Sequence, residues 1–202
     1  MRVLFLHGFL GSKEDWDEVI AHLPMECLAI DFEDILECQN CHLVGYSMGG
    51  RIALQMKAKY PMRFGKVIAL SAHPGLATED QKIKRWAVDL EWIELLKALS
   101  LEEFLKRWYA QPLFATLDTS KIMQRRLKLD KNDLIATLEK YSLSKQNFAV
   151  PHDTTFVCGS KDLKYVELYR KLLQNYQTIE GCGHALHLEN PNLCAEVIRH
   201  FL

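Results

Sequence analysis

In residues 45–50, Gly-Tyr-Ser-Met-Gly-Gly, one serine stands between glycines where an apolar run gives way to helix-forming residues. The pattern G-x-S-x-G at that junction predicts a nucleophile elbow, a strained strand-to-helix turn that lifts the Ser47 hydroxyl above the end of a sheet. The glycines are then a steric requirement, because neighbouring chain passes too close for a Cβ. A serine hydroxyl is a weak nucleophile or base until another group takes its proton, so a histidine oriented by a carboxylate must lie beside it. The order serine, acid, histidine is met by Asp162, which follows the apolar run 154–160, and by His184 in the stretch 181–191, "GCGHALHLENP". Asp153 precedes its strand and so falls at the wrong end of a parallel sheet. His187, three residues beyond His184, is the rival histidine and reads instead as a surface or supporting group. Cys182 lacks an elbow and reads as packing. An oxyanion hole needs two convergent backbone N–H groups. Met48, directly after the serine, and Phe9, in the "LHGF" that closes the first apolar run, are the expected donors, with His7 and Gly8 shaping the loop.

Such a constellation requires a sheet whose strands end on one side. Residues 2–9, 27–31, 42–46, 66–72 and 154–160 are nearly continuous apolar runs, as strands covered on both faces tend to be, and 176–179 is a shorter sixth. Ser12 is placed to cap a helix with Trp16, Val19, Ile20 and Leu23 on one face. Helical stretches at 165–174 and 192–202 complete an alternation that predicts a mostly parallel sheet flanked by helices. Residues 77–149 break it: they are dense in Lys, Glu, Leu and Trp at helical spacing, with no convincing strand. The expected organisation is a core of 1–76 and 150–202 with a helical cap inserted at 77–149.

The chain has 202 residues, long enough for one domain with a sizeable core, and 49% of them are hydrophobic. A formal charge of −1 provides no basic field for nucleic acid or an anionic membrane, so a charged ligand must be recognised locally. No run approaches membrane-spanning length and the first residues lack a secretory pattern, which predicts a cytoplasmic protein. Six scattered cysteines are too sparse for a disulfide scaffold, and reduced thiols are expected. "CQNCH" at 38–42 matches the covalent haem pattern, but without an export signal, and with His42 opening a strand, it reads as packing. Zinc through Cys38 and Cys41 lacks a second ligand pair. No metal or organic cofactor is required, and nothing sets an oligomeric state.

Together "LHGFLGSKEDW", "LVGYSMGGRIAL", "HPGL" (73–76), "WYAQPLF" (108–114), "CGSKDLKY" (158–165) and "GCGHALHLENP" resemble one family of α/β-hydrolase-fold proteins, the 2-succinyl-6-hydroxy-2,4-cyclohexadiene-1-carboxylate synthases of menaquinone biosynthesis. The elbow and triad belong to the whole fold; "HPGL" and "WYAQPLF" are more specific. The resemblance implies elimination of pyruvate from 2-succinyl-5-enolpyruvyl-6-hydroxy-3-cyclohexene-1-carboxylate, with Ser47 as a general base activated by His184 and Asp162 and no acyl-enzyme. It implies a small substrate bearing several carboxylates, for which arginines are suited. By family position the substrate-contacting residues are Tyr46, Arg51, Arg85, Trp108 and Arg126, with Arg125 nearly as good as Arg126. Trp86 and Trp92 read as core.

One departure stands out. Only about nine residues, within "DFEDILECQNC", separate the second and third strands, where the family has a full helix and a crossover ordinarily needs a dozen or more. A truncated helix here is expected to expose part of a sheet face and widen access to the site. The same machinery supports acyl transfer, so a hydrolase of small anionic esters or thioesters is the second reading. A non-catalytic binding scaffold is the third, disfavoured because it would have no use for all three triad residues.

Overall fold

A computed structural model describes residues 1–202. Six strands form one sheet: β1 (Arg2–Leu6), β2 (Cys27–Ile30), β3 (Cys41–Tyr46), β4 (Phe64–Leu70), β5 (Thr154–Gly159) and β6 (Gln177–Ile179). Their order across the sheet is β2-β1-β3-β4-β5-β6, and every pair is parallel. All strands therefore point their carboxyl ends to one side. The order reverses direction at β1, which opens a crevice between the ends of β1 and β3, the usual place for a ligand in such sheets.

Alternate side chains of each strand feed two separate cores. Leu4, Leu6, Leu43, Val67, Ala69, Phe156 and Cys158 pack on one face against α2 (Met48–Lys59), α7 (Leu163–Leu172) and the helices that follow β4. Val3, Phe5, Val44, Ile68, Leu70 and Val157 pack on the other with Trp16, Val19 and α9 (Pro191–Phe201). Each fully buried Leu, Ile or Val contributes about 1.5–3 kcal/mol, so both faces must be covered. This explains why the strands read as continuous apolar runs rather than alternating ones.

Between β4 and β5 the chain forms α3 (Glu79–Ala98), α4 (Leu101–Tyr109), α5 (Ser120–Arg126) and α6 (Lys131–Tyr141), with an isolated bridge from Leu76 to Asn147 where it leaves and rejoins the sheet. Their starts are marked by residues that satisfy free N–H groups: Thr78 and Ser100 head capping boxes, and Asp130 accepts from Asn132 and Asp133. The helix expected after Ser12 is a single 3-10 turn, Lys13–Trp16, running into α1 (Asp17–Ile20), with Trp16 and Val19 buried as the spacing requires.

The short link between β2 and β3 is a 3-10 helix, Glu33–Glu37. Asp31, Phe32 and Glu33 at its start line, with His7, Phe9 and α6, a compartment of about 510 Å³. Phe32 and Ile35 are buried in the core, Phe32 packs against His7 and against Tyr141 of α6, and Glu33 accepts hydrogen bonds from Lys140 and Tyr141. Two apolar side chains and a bridge to α6 thus replace the missing helix, leaving Leu28 and Leu36 exposed at the sheet edge. The haem-like residues are used in packing: Cys41 is buried, and His42 Nδ1 accepts the Lys66 N–H across to β4. No helix is long and apolar enough to cross a membrane.

Candidate active site

Ser47 ends β3 and caps α2 with φ 50° and ψ −108°, a backbone conformation that only a tightly determined surrounding sustains. Its N–H donates to Leu70 O at 2.8 Å, which ties the turn to β4. The flanking glycines are forced by close approach. A Cβ on Gly49 would sit 2.3 Å from the carbonyl oxygens of Leu6 and His7, and one on Gly45 2.5 Å from the Gly49 carbonyl. Backbone cannot yield as a flexible side chain can, so the helix packs this near β1 only with glycine there.

Asp162 follows β5 and caps α7. One carboxylate oxygen accepts the Tyr165 N–H at 3.3 Å; the other lies 2.7 Å from His184 Nδ1. A carboxylate only accepts, so Nδ1 carries the proton and Nε2 is left as an acceptor for the Ser47 hydroxyl, 3.3 Å away. Asp162 and His184 are buried, and Tyr46, Phe114 and Tyr165 surround the imidazole with ring centroids 5.3, 5.8 and 4.9 Å from it. The three side chains come from the ends of β3, β5 and β6, brought together by strand order alone. Asp153 lies before β5, away from this cluster, and Cys182 is buried with its thiol pushed up by burial.

The Phe9 N–H donates to no protein group. Met48 opens α2, where a first-turn N–H has no intrahelical acceptor. Met48 is next to the serine in the chain, while Phe9 shares with Tyr46, Ser47, Trp108, Phe114, Leu117 and Arg126 the walls of one cavity of about 40 Å³. Larger compartments lie on either side. One of about 560 Å³ is reached across Asp15, Leu117, Ile122 and Leu188, and one of about 510 Å³ across Phe9 and Gly11.

The arginines divide into two groups. Arg126 Nη2 meets Asp15 Oδ2 at 2.5 Å, both side chains being at most 3% exposed, and its Nε donates to the Tyr109 hydroxyl at 3.3 Å. Burial works to lower the Arg126 pKa, but Asp15 and Tyr109 outweigh it and hold it above the ordinary value. Arg125 is half-exposed, reaches Asp15 Oδ1 at 3.4 Å and lines the larger outer compartment. Arg51 and Arg85 are not among the walls of the Ser47 cavity. Arg51 is buried, makes no ion pair, and donates to the Tyr141 carbonyl at 3.1 Å and Gln146 Oε1 at 2.9 Å. Burial, then Arg85, lowers its pKa to about 10, so it stays charged at neutral pH. Arg85 pairs with buried Asp89, which also accepts from Ser142. Burial and then the neighbouring Arg51, Arg85 and Lys164 push His73 down to about 4. Trp92 packs edge-on against Trp108, and Trp86 is half-buried beneath Lys145.

His187 is not a surface group. It is 1% exposed, sandwiched between Tyr46 and Trp16 with centroids 4.3 and 4.6 Å away, and neither ring nitrogen has a protein partner. Burial lowers its pKa to about 3. The unfolded imidazole takes up its proton near pH 6.5, whereas the folded one refuses it until about 3, so the unfolded state binds more protons in between. Stability therefore falls as pH drops through that window, at up to about 1.4 kcal/mol per pH unit from this one group. His187→Phe is expected to flatten the decline between about pH 6 and pH 4.5, read by urea unfolding at several pH values; an unchanged slope would mean that His187 is protonated in the folded protein.

Sequence reasoning passed over Asp15, Tyr109 and Glu189. Asp15 carries a local signal, since it is the acidic third residue of the Ser12 capping box, but its contact with Arg126 spans 111 positions and has none.

Residues 24–147 match the family model described as alpha/beta hydrolase fold. A 2-succinyl-6-hydroxy-2,4-cyclohexadiene-1-carboxylate synthase of Escherichia coli O1:K1 / APEC is 30% identical over 94% of this chain and 88% of its own. A Haemophilus influenzae protein provisionally given the same name is 33% identical over 99% of this chain and 96% of its own. Among solved structures, MenH from S. aureus superposes with a TM-score of 0.87 at 24% identity, covering 100% of this chain and 93% of that one. The chain therefore belongs to the α/β-hydrolase fold family and, within it, to the 2-succinyl-6-hydroxy-2,4-cyclohexadiene-1-carboxylate synthases.

Proposed function

We propose that this protein eliminates pyruvate from 2-succinyl-5-enolpyruvyl-6-hydroxy-3-cyclohexene-1-carboxylate, with Ser47, His184 and Asp162 as its proton-transfer chain. The observation that carries this reading is the near end-to-end match to relatives bearing the synthase name. In the proposed step, His184 Nε2 accepts the hydroxyl proton as Ser47 Oγ takes the proton from the ring carbon bearing the succinyl ketone. The electron pair moves onto the ketone oxygen, an enolate-like charge for which the N–H groups of Phe9 and Met48 are the donors. Collapse of that enolate shifts the ring double bond, breaks the carbon–oxygen bond to the enolpyruvyl group and forms the diene. The expelled enolpyruvate takes up the proton and leaves as pyruvate. Asp162 keeps the proton on Nδ1 and stabilises the transient imidazolium.

The substrate is anionic, and the basic groups support that choice. Arg126 lines the Ser47 cavity with Trp108 and Tyr46, while Arg51 is a buried cation one helical turn beyond the serine whose only partners are uncharged oxygens. A buried charge without a counterion is costly, and a substrate carboxylate would relieve it. In this reading 1–76 and 150–202 form the catalytic core and 77–149 the cap that closes over the substrate. The cavity at the serine, about 40 Å³, is smaller than such a substrate, and compartments of about 560 and 510 Å³ adjoin it. Offering the enolpyruvyl cyclohexene substrate and a short activated ester in parallel tests the reading. Diene formation with little ester turnover is the expected result; rapid ester turnover without diene would make the protein a hydrolase.

A further inference from the structure

We propose that Glu189 is a positioning residue for His184, acting through the main chain on either side of it. Glu189 ends α8 (Leu186–Glu189). Its Oε2 accepts the Gly183 N–H at 2.7 Å and its Oε1 accepts the Ala185 N–H at 3.1 Å. One carboxylate therefore grips the N–H groups of the residues on either side of the histidine, closing the loop onto the end of the helix that follows it. The inference rests on the proposed role of the triad.

Two further observations make this more than a helix-end contact. The imidazole is located by hydrogen bonds at only two points, Asp162 at 2.7 Å and Ser47 at 3.3 Å, and the second is already long. A loop displacement of a few tenths of an ångström in the wrong direction would break it. The loop is also closely packed at this point: a Cβ on Gly183 would lie 2.0 Å from Thr116 Oγ1 and 3.1 Å from Glu189 Oε1, so only glycine fits there. Thr116 and Glu189 thus bear on the same glycine, one sterically and one by hydrogen bonding. Charged acceptors make shorter and stronger bonds to backbone N–H than neutral ones, which suits a loop that must not drift.

Glu189→Gln preserves shape but offers one good acceptor where two N–H groups need one each. The expected result is a roughly ten- to hundredfold fall in kcat, as misplacement of a catalytic group commonly produces. KM should stay within about twofold, because the side chain is no wall of the serine cavity. Inactivation by a fluorophosphonate, which reports Ser47–His184 activation without any substrate, should slow by the same factor. Glu189→Asp, which keeps the charge but not the reach, should fall between the wild type and the amide. A merely structural glutamate would lower thermal stability and leave kcat per folded molecule and the inactivation rate unchanged, and that outcome would overturn the proposal. So would failure of both variants to fold, since the residue would then serve the fold rather than the histidine. Wild-type labelling with an unchanged Glu189→Gln rate removes this inference alone. Absence of wild-type labelling at Ser47 removes the triad reading and this inference with it.

Discussion

Ser47→Ala is expected to reduce kcat for pyruvate elimination by roughly a hundredfold to ten-thousandfold, the range for loss of a positioned general base, while the protein folds with unaltered stability. The alanine methyl occupies the same strained position at φ 50°, and the Ser47 N–H bond to Leu70 is backbone and survives. What disappears is the only oxygen between His184 Nε2 and the substrate, 3.3 Å from the imidazole. The histidine cannot simply substitute for it, because Asp162 fixes its orientation and Tyr46, Phe114 and Tyr165 surround the ring. The Phe9 and Met48 donors remain, so KM should change little and residual catalysis should persist above the uncatalysed rate. Steady-state kinetics on the enolpyruvyl substrate checks this; a kcat within threefold of wild type would exclude Ser47 as the base.

Arg126→Met is expected to cost about 3–5 kcal/mol of stability, the usual penalty for stranding one partner of a buried ion pair. Asp15 is 4% exposed, and its Oδ1 has no hydrogen bond even when Arg126 is present. Only the half-exposed Arg125, 3.4 Å away, would remain to balance it. The same substitution removes the one cation lining the Ser47 cavity, so affinity for the anionic substrate should fall as well. Adding Asp15→Asn should restore most of the stability but none of the affinity, since it removes the stranded charge without replacing the guanidinium. Urea unfolding of the four members of that cycle, with KM for each, separates the two effects. Equal KM values throughout would show that Arg126 is a strut between α5 and the 3-10 turn at Lys13–Trp16 rather than a substrate contact.

What the sequence revealed follows the range of the forces involved. Ser47 was legible because an elbow is a local steric problem, solved within six residues by glycines whose absent Cβ atoms the structure explains one by one. Asp162 and His184 were legible because parallel strands deliver their carboxyl ends to one side, so residues just after β5 and β6 converge without any sequence signal of contact. The link 32–42 was legible as a missing helix that leaves Leu28 exposed, but not the way Phe32 and Ile35 fold inward and meet α6 through Tyr141 and Lys140, which are long-range contacts without a local signal. His187 could be read only as a surface or supporting group, because which of the two depends on the packing of Tyr46 and Trp16 around it, and that packing makes it a buried ring against the residue before the serine. The Asp15–Arg126 pair lies beyond any reading of patterns, since two ordinary charged residues from separate parts of the chain become partners only once the helices between β4 and β5 settle on the core. Arg51 and Arg85, placed by family position, are not among the walls of the Ser47 cavity.

Elimination at Ser47 is tested by the stoichiometry of the products formed from the enolpyruvyl cyclohexene substrate. Diene absorbance and pyruvate, the latter followed by reduction to lactate, should rise together in equal molar amounts in the wild type and vanish together in Ser47→Ala. Consumption of the substrate without diene, or pyruvate release that survives Ser47→Ala, would rule out elimination at Ser47.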